Sequence, residues 1–229
     1  MDEITWREAI EIVKPYVVKI DTPSGSGTGF LCAYAESKLI CGIATAEHVV
    51  NKSYLWKEPI RIQHFTSGET KFLNASNRAI YRDLKLDTAV ILFVKGKIPF
   101  PEDTLTFLSE KKYYKAGNEI GWVGFPSVSP NNLCFFTGRI SCWVNDSRTY
   151  LVDGVAINGV SGGPVFYRAT KQIEVIGSVS AYLPNIVGAT PGLAMVSHVE
   201  QYQKVIKTIK NMEEAKKKEA LLKKLKKKD

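Results

Sequence analysis

Short runs of β-branched and aromatic residues, separated by Gly, Pro, Asn and Ser, follow one another along most of this sequence. Runs of this kind predict β-strands, and the separating residues are those that form turns. The runs do not alternate with helical segments, so the pattern favours an all-β barrel or sandwich over a parallel sheet with crossover helices. The predicted strands are Val17–Ile20, Phe30–Tyr34, Leu39–Ala44, Ile60–Phe65, Lys71–Asn74, Thr88–Val94, Glu119–Val123, Leu133–Thr137, Ile140–Val144, Pro164–Tyr167, Glu174–Val179 and Leu193–Val196.

Two helices are predicted, one on each side of the strand region. Ile4–Lys14 has apolar residues at helical spacing and is followed by Pro15, which cannot continue a helix. Val199–Met212 places its apolar residues on one face, and Ser197 precedes it as an N-cap candidate. Glu213–Asp229 is lysine-dense, and the sequence leaves open whether it frays, continues as a solvated helix or binds something acidic.

The formal charge of +8 is concentrated at the C-terminal end of the 229 residues. From Lys204 to Asp229, eleven lysines stand against four acidic residues, a net charge of +7. Nucleic acid or an anionic membrane would therefore be expected to bind at this tail and not at the near-neutral body. No run approaches the roughly 18 apolar residues of a membrane span, and the acidic N-terminus lacks the features of a signal peptide, so we expect a cytoplasmic protein.

The four cysteines, Cys32, Cys41, Cys134 and Cys142, form no C-x-x-C pair. Because the chain also has only three histidines, a structural zinc site is not expected. No cofactor is expected either. Cys32 and Cys41 could face each other across a hairpin, but the expected compartment is reducing. We therefore expect four buried thiols.

Asn158–Pro164, with the sequence NGVSGGP, has the composition of a turn that exposes a nucleophile. A serine is a weak nucleophile unless its hydroxyl is exposed near a base that accepts its proton. Glycines at 159, 162 and 163 permit backbone dihedrals closed to other residues. The amides of Gly159 and Ser161 could together bind an anionic oxygen. A glycine-rich loop with an incidental serine explains the same residues, so a base and a carboxylate are needed elsewhere.

His48 is the candidate base, because it follows a predicted strand and begins a helical turn. His64 lies within a predicted strand and His198 lies beside polar residues at the last helix, so both are interpreted as structural or solvated. Asp87 precedes the apolar strand Thr88–Val94, where burying a carboxylate is costly unless it accepts hydrogen bonds. A histidine N–H is one such donor.

Thr45–His48, Asp87–Val90 and Gly159–Pro164 together resemble the three signatures of trypsin-like (chymotrypsin-fold) serine peptidases, in the order His, Asp, Ser. Ser24–Phe30 resembles the G-S-G-x-G-F hairpin of the bacterial HtrA-like branch, and Phe135–Ser141 resembles its T-G-x-I-S strand. The resemblance implies two six-stranded antiparallel β-barrels. It places an N-terminal helix at residues 1–15, the first barrel at 16–115, the second at 116–198, and a C-terminal helix with its tail at 199–229.

The resemblance also implies roles for residues. His48, Asp87 and Ser161 would form the catalytic triad of a serine endopeptidase, with Gly159 and Ser161 as the oxyanion hole. By motif offset, the substrate-binding residues would be Val155 at the base of the specificity pocket, with Ser180, Ala181, Tyr182 and Gly192 around it. Since Val155 is not acidic, we expect cleavage after a small or medium apolar residue, with a polypeptide as substrate.

Two departures from the family limit what carries over. Val160 stands where secreted digestive relatives have the acid of their activation switch, so that switch cannot operate here. Nothing after Val199 resembles a PDZ domain. Two alternatives remain: a catalytically silent or partner-activated scaffold of the same fold, and a protein whose basic tail binds an acidic partner, nucleic acid or membrane. A regulator protein is expected, but no residue identifies one.

Overall fold

The computed structural model describes residues 4–170, 172–183 and 193–225. Helix α1 (Trp6–Val13) begins after Thr5, whose hydroxyl accepts the N–H of Glu8 while the Glu8 carboxylate accepts the N–H of Thr5. This reciprocal capping satisfies donors that the helix itself leaves free. The helix continues into a 3₁₀ turn at Lys14–Tyr16, where Pro15 ends it as predicted.

The first lobe is a seven-stranded antiparallel sheet with the strand order β5-β4-β1-β2-β3-β7-β6. Helix α2 (Glu47–Leu55) connects β3 to β4. A core that includes Ile20, Leu31 and Ile91 fills the concave side of the sheet. The strands are β1 (Val17–Thr22), β2 (Gly25–Tyr34), β3 (Ile40–Thr45), β4 (Ile60–His64), β5 (Thr70–Leu73), β6 (Arg78–Asp83) and β7 (Thr88–Val94).

This lobe is an open half-barrel of seven strands, whereas a six-stranded barrel was expected. Strands β5 and β6 are its edges and are not hydrogen-bonded to each other. The guanidinium of Arg78 lies between the two ends and donates to the carbonyls of Leu73, Glu58 and Ser53. A side chain, and not a ladder of backbone hydrogen bonds, therefore satisfies these carbonyls and joins the ends of the sheet.

The second lobe is a closed barrel of six antiparallel strands in the order β10-β13-β12-β11-β8-β9, as predicted. Trp122, Tyr150 and Phe166 are fully buried in its core. The strands are β8 (Glu119–Gly124), β9 (Cys134–Val144), β10 (Thr149–Asp153), β11 (Pro164–Arg168), β12 (Ile173–Leu183) and β13 (Leu193–His198).

Helix α3 (Glu200–Leu225) connects the two lobes through one tyrosine near its start. The buried hydroxyl of Tyr202 donates to the Thr45 carbonyl of the first lobe at 3.1 Å and lies 2.6 Å from the Ser178 hydroxyl of the second. Farther along, Lys217 forms an ion pair with Glu36 in the turn between β2 and β3. The lysine-dense segment continues α3 as far as Leu225.

Two strands were not predicted, and one interruption was predicted wrongly. Strands β6 and β10 have no counterpart in the sequence analysis. One predicted strand ended at Thr137 and the next began at Ile140, but β9 is continuous through Gly138. A Cβ on Gly138 would lie 2.4 Å from the carbonyl oxygen of Asp153, so the glycine allows a neighbouring strand to approach closely.

The four cysteines are free thiols, but only two are buried. Cys32 and Cys41 lie in the interior, as expected. The expectation was wrong for Cys134, which is partly exposed, and for Cys142, which is exposed on β9. In the described part of the chain, no helix has the length and apolar character needed to cross a membrane. Nor do three or more His, Cys, Asp or Glu side chains within those residues come together as metal ligands.

Candidate active site

His48 lies in the first turn of α2, where Asp87 binds both its ring and its backbone. The ring Nδ1 lies 2.8 Å from Asp87 Oδ2 and 3.1 Å from Oδ1. The backbone N–H of His48 donates to Oδ1 at 3.0 Å, and that of Glu47 donates to the Asp87 carbonyl at 3.2 Å. Asp87 therefore caps the helix from outside and also orients the imidazole.

Asp87 is held in place by the tight turn between β6 and β7. Its φ is +48°, a left-handed conformation that Asp adopts more readily than most residues. Asp83 stabilises the start of the turn by accepting the N–H groups of Lys85 and Leu86. Arg82, in β6, forms an ion pair with the buried Glu47 at 2.8 Å and thereby fixes α2 beside this turn.

The contacts of Asp87 and His48 shift both pKa values toward the charged forms. The hydrogen bond with Asp87 raises the pKa of His48, and this outweighs the opposing effect of burial. Burial by itself raises the pKa of Asp87, but hydrogen bonds from His48 and Ser180 hold it below its ordinary value. At neutral pH Asp87 is therefore a carboxylate that accepts from Nδ1–H, which leaves Nε2 of His48 free to act as a base.

Ser180 contributes to this pair in a way that the sequence analysis missed. Its hydroxyl donates to Asp87 Oδ2 at 2.6 Å, and so crosses from β12 in the second lobe to the first. The sequence analysis placed Ser180 only in the substrate pocket. A serine in a strand carries no local signal for such a contact, because its partner lies 93 residues away.

Ser161 lies in a turn that requires glycine at positions 159 and 162. Gly159 has a φ of +92° and Gly162 a φ of +84°, whereas Gly163 has no positive φ. A Cβ on Gly162 would approach the Thr28 carbonyl oxygen to 2.2 Å, and one on Gly159 would approach the Phe125 carbonyl oxygen to 2.3 Å. Side chains at either position would therefore displace the turn.

The hydroxyl of Ser161 points toward β12 and not toward His48. Its Oγ lies 3.5 Å from the Ser180 carbonyl oxygen, and it makes no hydrogen bond to His48. Both side chains nevertheless line the same two cavities. The other two histidines line neither: His64 binds the Pro15 carbonyl, and burial lowers the pKa of His198 to about 4.

Two hydrogen bonds fix the peptide groups on either side of Gly159. The Asn158 carbonyl accepts the N–H of Ser127 at 2.7 Å, and the Gly159 carbonyl accepts the hydroxyl of Thr28 at 2.8 Å. All peptide bonds described are trans, so the N–H of Gly159 points away from Ser127. Among the described residues, neither that N–H nor the N–H of Ser161 has an acceptor.

Two cavities border Ser161. One, of about 430 Å³, borders β12 and is called the strand cavity here; besides His48 and Ser161 it is lined by Ala156, Ile157, Asn158, Val179, Ser180 and Ala181. The other, of about 380 Å³, borders the turn between β1 and β2 and is called the hairpin cavity; besides the same two residues it is lined by Thr22, Ser24, Gly25, Ser26, Val49, Lys52, Ser127, Asn158 and Gly159.

The structure brings together some of the predicted substrate-binding residues. Ser180 and Ala181 line the strand cavity. Val155 precedes its wall and is 48% exposed, but it is not among the lining residues. The backbone of Tyr182 lies in β12 opposite Ala194, while its side chain, like the whole of Gly192, is outside the described part.

The fold is similar to that of several solved structures at low sequence identity. A serine endoprotease from Yersinia pestis has 18% identity and a TM-score of 0.65, over 91% of this chain and 68% of that one. Rv3671c from M. tuberculosis H37Rv, an inactive mutant form, has 21% identity and a TM-score of 0.61, over 87% and 90%. Deg5 has 16% identity and a TM-score of 0.64, over 88% and 94%.

Comparison with curated proteins gives no match. The model of a family described as the trypsin-like peptidase domain matches residues 27–177, which include the His48, Asp87 and Ser161 motifs. That stretch is more than half of the sequence, and the half-barrel and closed barrel form the chymotrypsin-like fold. The chain therefore belongs to the trypsin-like peptidase domain family of serine endopeptidases.

Proposed function

We propose that this protein hydrolyses peptide bonds with His48, Asp87 and Ser161 as its catalytic triad. The observation that carries the proposal is the His48–Asp87 pair, whose 2.8 Å contact leaves Nε2 free on the side of the cleft that Ser161 lines. The mechanism requires a rotation about χ1 of Ser161 that turns its hydroxyl from the Ser180 carbonyl toward that nitrogen. A serine hydroxyl has staggered alternatives of this kind, and the present contact, at 3.5 Å, is weak.

In this mechanism the Ser161 oxygen attacks the substrate carbonyl while Nε2 of His48 takes the hydroxyl proton. The tetrahedral oxyanion accepts hydrogen bonds from the amides of Gly159 and Ser161, which have no acceptor among the described residues. His48 then passes its proton to the leaving amine, and an acyl-enzyme remains on Ser161. Water, deprotonated by the same nitrogen, releases the acid and restores the hydroxyl.

We also propose a preference for a small or medium apolar residue before the cleaved bond. The strand cavity supports this, because Ala156, Ile157, Val179 and Ala181 form much of its wall. No acidic side chain is among the described residues that line it, so nothing there attracts Lys or Arg. Val155, Tyr182 and Gly192 remain predicted contributors to this pocket.

The test is to incubate wild type and Ser161→Ala with a denatured-protein mixture and to map the new peptide termini. Wild type is expected to generate termini that follow small or medium apolar residues, and Ser161→Ala none. A fluorophosphonate probe should label Ser161 of the wild type alone. Folded wild type that neither cleaves nor is labelled would support the catalytically silent scaffold, and termini dominated by Arg or Lys would refute the apolar preference.

The rate should depend on pH through His48. Catalysis needs its neutral ring, and the hydrogen bond with Asp87 raises its pKa. The value of kcat/KM should therefore rise with pH and reach half its maximum above about pH 6.5, the ordinary histidine value. Cleavage of one fluorogenic peptide between pH 5 and 9 measures this. A midpoint below 6.5 would mean that the base is not a histidine paired in this way.

The lysine-rich end of α3 remains a proposed site for an acidic partner, nucleic acid or an anionic membrane. Binding of a regulator protein also remains a proposal. The positive charge of this segment supports binding to an acidic partner, nucleic acid or membrane, since such binding is electrostatic and weakens as salt increases. A chain truncated after Met212 should lose binding to nucleic acid and to anionic vesicles while it keeps peptidase activity. Unchanged binding would exclude the tail.

A further inference from the structure

The hairpin cavity differs from the strand cavity in carrying a positive charge. Lys52 lies on its wall, one helical turn after His48 and on the same face of α2. Its side chain is exposed, and among the described residues no carboxylate lies within ion-pair distance of it. Apart from His48, Lys52 is the one ionisable side chain among the described residues that line the cavity.

Glu58 is an acidic residue beside the wall of this cavity. Both oxygens of the Glu58 carboxylate accept from the hydroxyl of Ser24, at 2.9 and 2.7 Å. Glu58 itself is not among the lining residues and does not pair with Lys52. The charge that a ligand meets inside the cavity is therefore that of the Lys52 ammonium.

The position of the cavity indicates which part of a substrate enters it. Beyond Val179, the edge of β12 that borders the strand cavity has no partner strand among the described residues, so an extended peptide can pair there. Ser161 lines both cavities, so a chain bound along that edge would pass Ser161 and continue into the hairpin cavity. Because the strand cavity is the proposed pocket for the residue before the cleaved bond, the hairpin cavity would hold the residues after it.

The distance between His48 and Lys52 along α2 indicates which substrate residue after the cleaved bond Lys52 can reach. Lys52 lies four positions after His48, which is about 6 Å along the axis of α2. An extended substrate advances about 3.3 Å per residue. The first or second residue after the cleaved bond therefore comes level with the ammonium.

We propose that the hairpin cavity is a subsite in which Lys52 selects an acidic residue, Asp or Glu, at the first or second position after the cleaved bond. This inference rests on the proposed function and adds to it a substrate class: peptides with an apolar residue before the bond and a carboxylate after it. The ion pair lies in an open cleft, so the expected selectivity is modest, and salt reduces it.

The experiment uses the full chain and fluorogenic peptides that are identical except for Glu, Gln or Lys at each of the two positions after the bond. Wild type should cleave the Glu peptide about threefold to fivefold faster than the Gln peptide at low salt, as kcat/KM, and the difference should shrink at high salt. Lys52→Gln should abolish the difference. Lys52→Glu should change the ratio of Glu to Lys peptide by at least about tenfold, in favour of Lys.

Lys57→Glu is the matched control, because Lys57 carries the same charge just beyond α2 but does not line the cavity. Its Glu-to-Lys ratio should equal that of wild type. Two results would overturn the subsite: equal cleavage of all three peptides by wild type, or a Glu-to-Lys ratio that is unchanged in both Lys52 variants. If the fluorophosphonate still labels Ser161, the proposed function is unaffected by these results. Absence of both cleavage and labelling in folded wild type would overturn the proposed function and this inference with it.

Discussion

Asp87→Asn is expected to lower kcat/KM by about 10⁴-fold at neutral pH while leaving the fold intact. The Oδ1 position of residue 87 receives the backbone N–H of His48, so the amide oxygen of Asn occupies that position and keeps α2 capped. The amide nitrogen then replaces Oδ2 and donates to Nδ1. This places the ring proton on Nε2, which can no longer accept the proton of Ser161.

The control for this prediction is Ser180→Ala, which removes a donor to Oδ2 but keeps the carboxylate. Its loss of activity should be much smaller, because the ring tautomer is unchanged. Steady-state cleavage of one peptide measures both variants, and circular dichroism verifies their folding. If Asp87→Asn retained more than about a tenth of wild-type activity, Asp87 would not determine the tautomer of His48.

Thr28→Val is expected to have the largest effect on stability among the substitutions near the cleft. Thr28 is fully buried in β2 and makes four hydrogen bonds to other segments. Its N–H donates to the Ser161 carbonyl at 2.9 Å, and its own carbonyl accepts the hydroxyl of Thr45 at 2.8 Å. Its hydroxyl donates to the Gly159 carbonyl and accepts the N–H of Phe125 at 3.0 Å.

Valine has nearly the same shape as threonine but leaves the Gly159 carbonyl and the Phe125 N–H without a partner in the interior. At about 1–3 kcal/mol for each such group, the free energy of unfolding should fall by roughly 2–6 kcal/mol. The peptide group after Gly159 also loses its anchor, so acylation of Ser161 should slow. Urea unfolding, carried out in a Ser161→Ala background to prevent self-digestion, measures the first effect, and the rate of fluorophosphonate labelling measures the second.

Thr28→Ser is the matched variant, since it keeps the hydroxyl and loses only a methyl group. It should retain most of the labelling rate and lose about 1 kcal/mol of stability. Equal losses in Thr28→Val and Thr28→Ser would show that packing, and not the hydroxyl, holds the nucleophile turn to the first lobe.

Strands could be predicted from the sequence where their residues are apolar and buried. They could not be predicted where only hydrogen bonds to a neighbouring strand define them. Strand β7 is apolar along most of its length and was recognised from its sequence. Strand β6 pairs only with β7, and most of its side chains are partly exposed. Its sequence, RAIYRD, therefore lacks the local signal of a buried strand, and its hydrogen bonds to β7 define it.

The candidate site divides in the same way. His48, Asp87 and Ser161 could be predicted as the triad because each lies in a short motif whose composition is typical of that chemistry. Ser127 could not, because its contribution is a backbone N–H, which every residue except proline has. Lys52 could not, because its charge matters only through the cavity that it lines.

The sequence by itself determined the all-β class, the two terminal helices, and the three residues of the predicted triad with their order. Local composition and turn chemistry are sufficient for these, because each depends on residues that are close together in the chain. Only the tertiary structure decided that the first lobe stays open around Arg78, that Ser180 reaches Asp87, and that Thr28 holds the turn of Ser161. The Ser180 and Thr28 contacts join hydroxyl groups to partners 93 and 131 residues away, and the Arg78 guanidinium binds backbone carbonyls. Hydroxyl and carbonyl groups are too common in any sequence to indicate their partners.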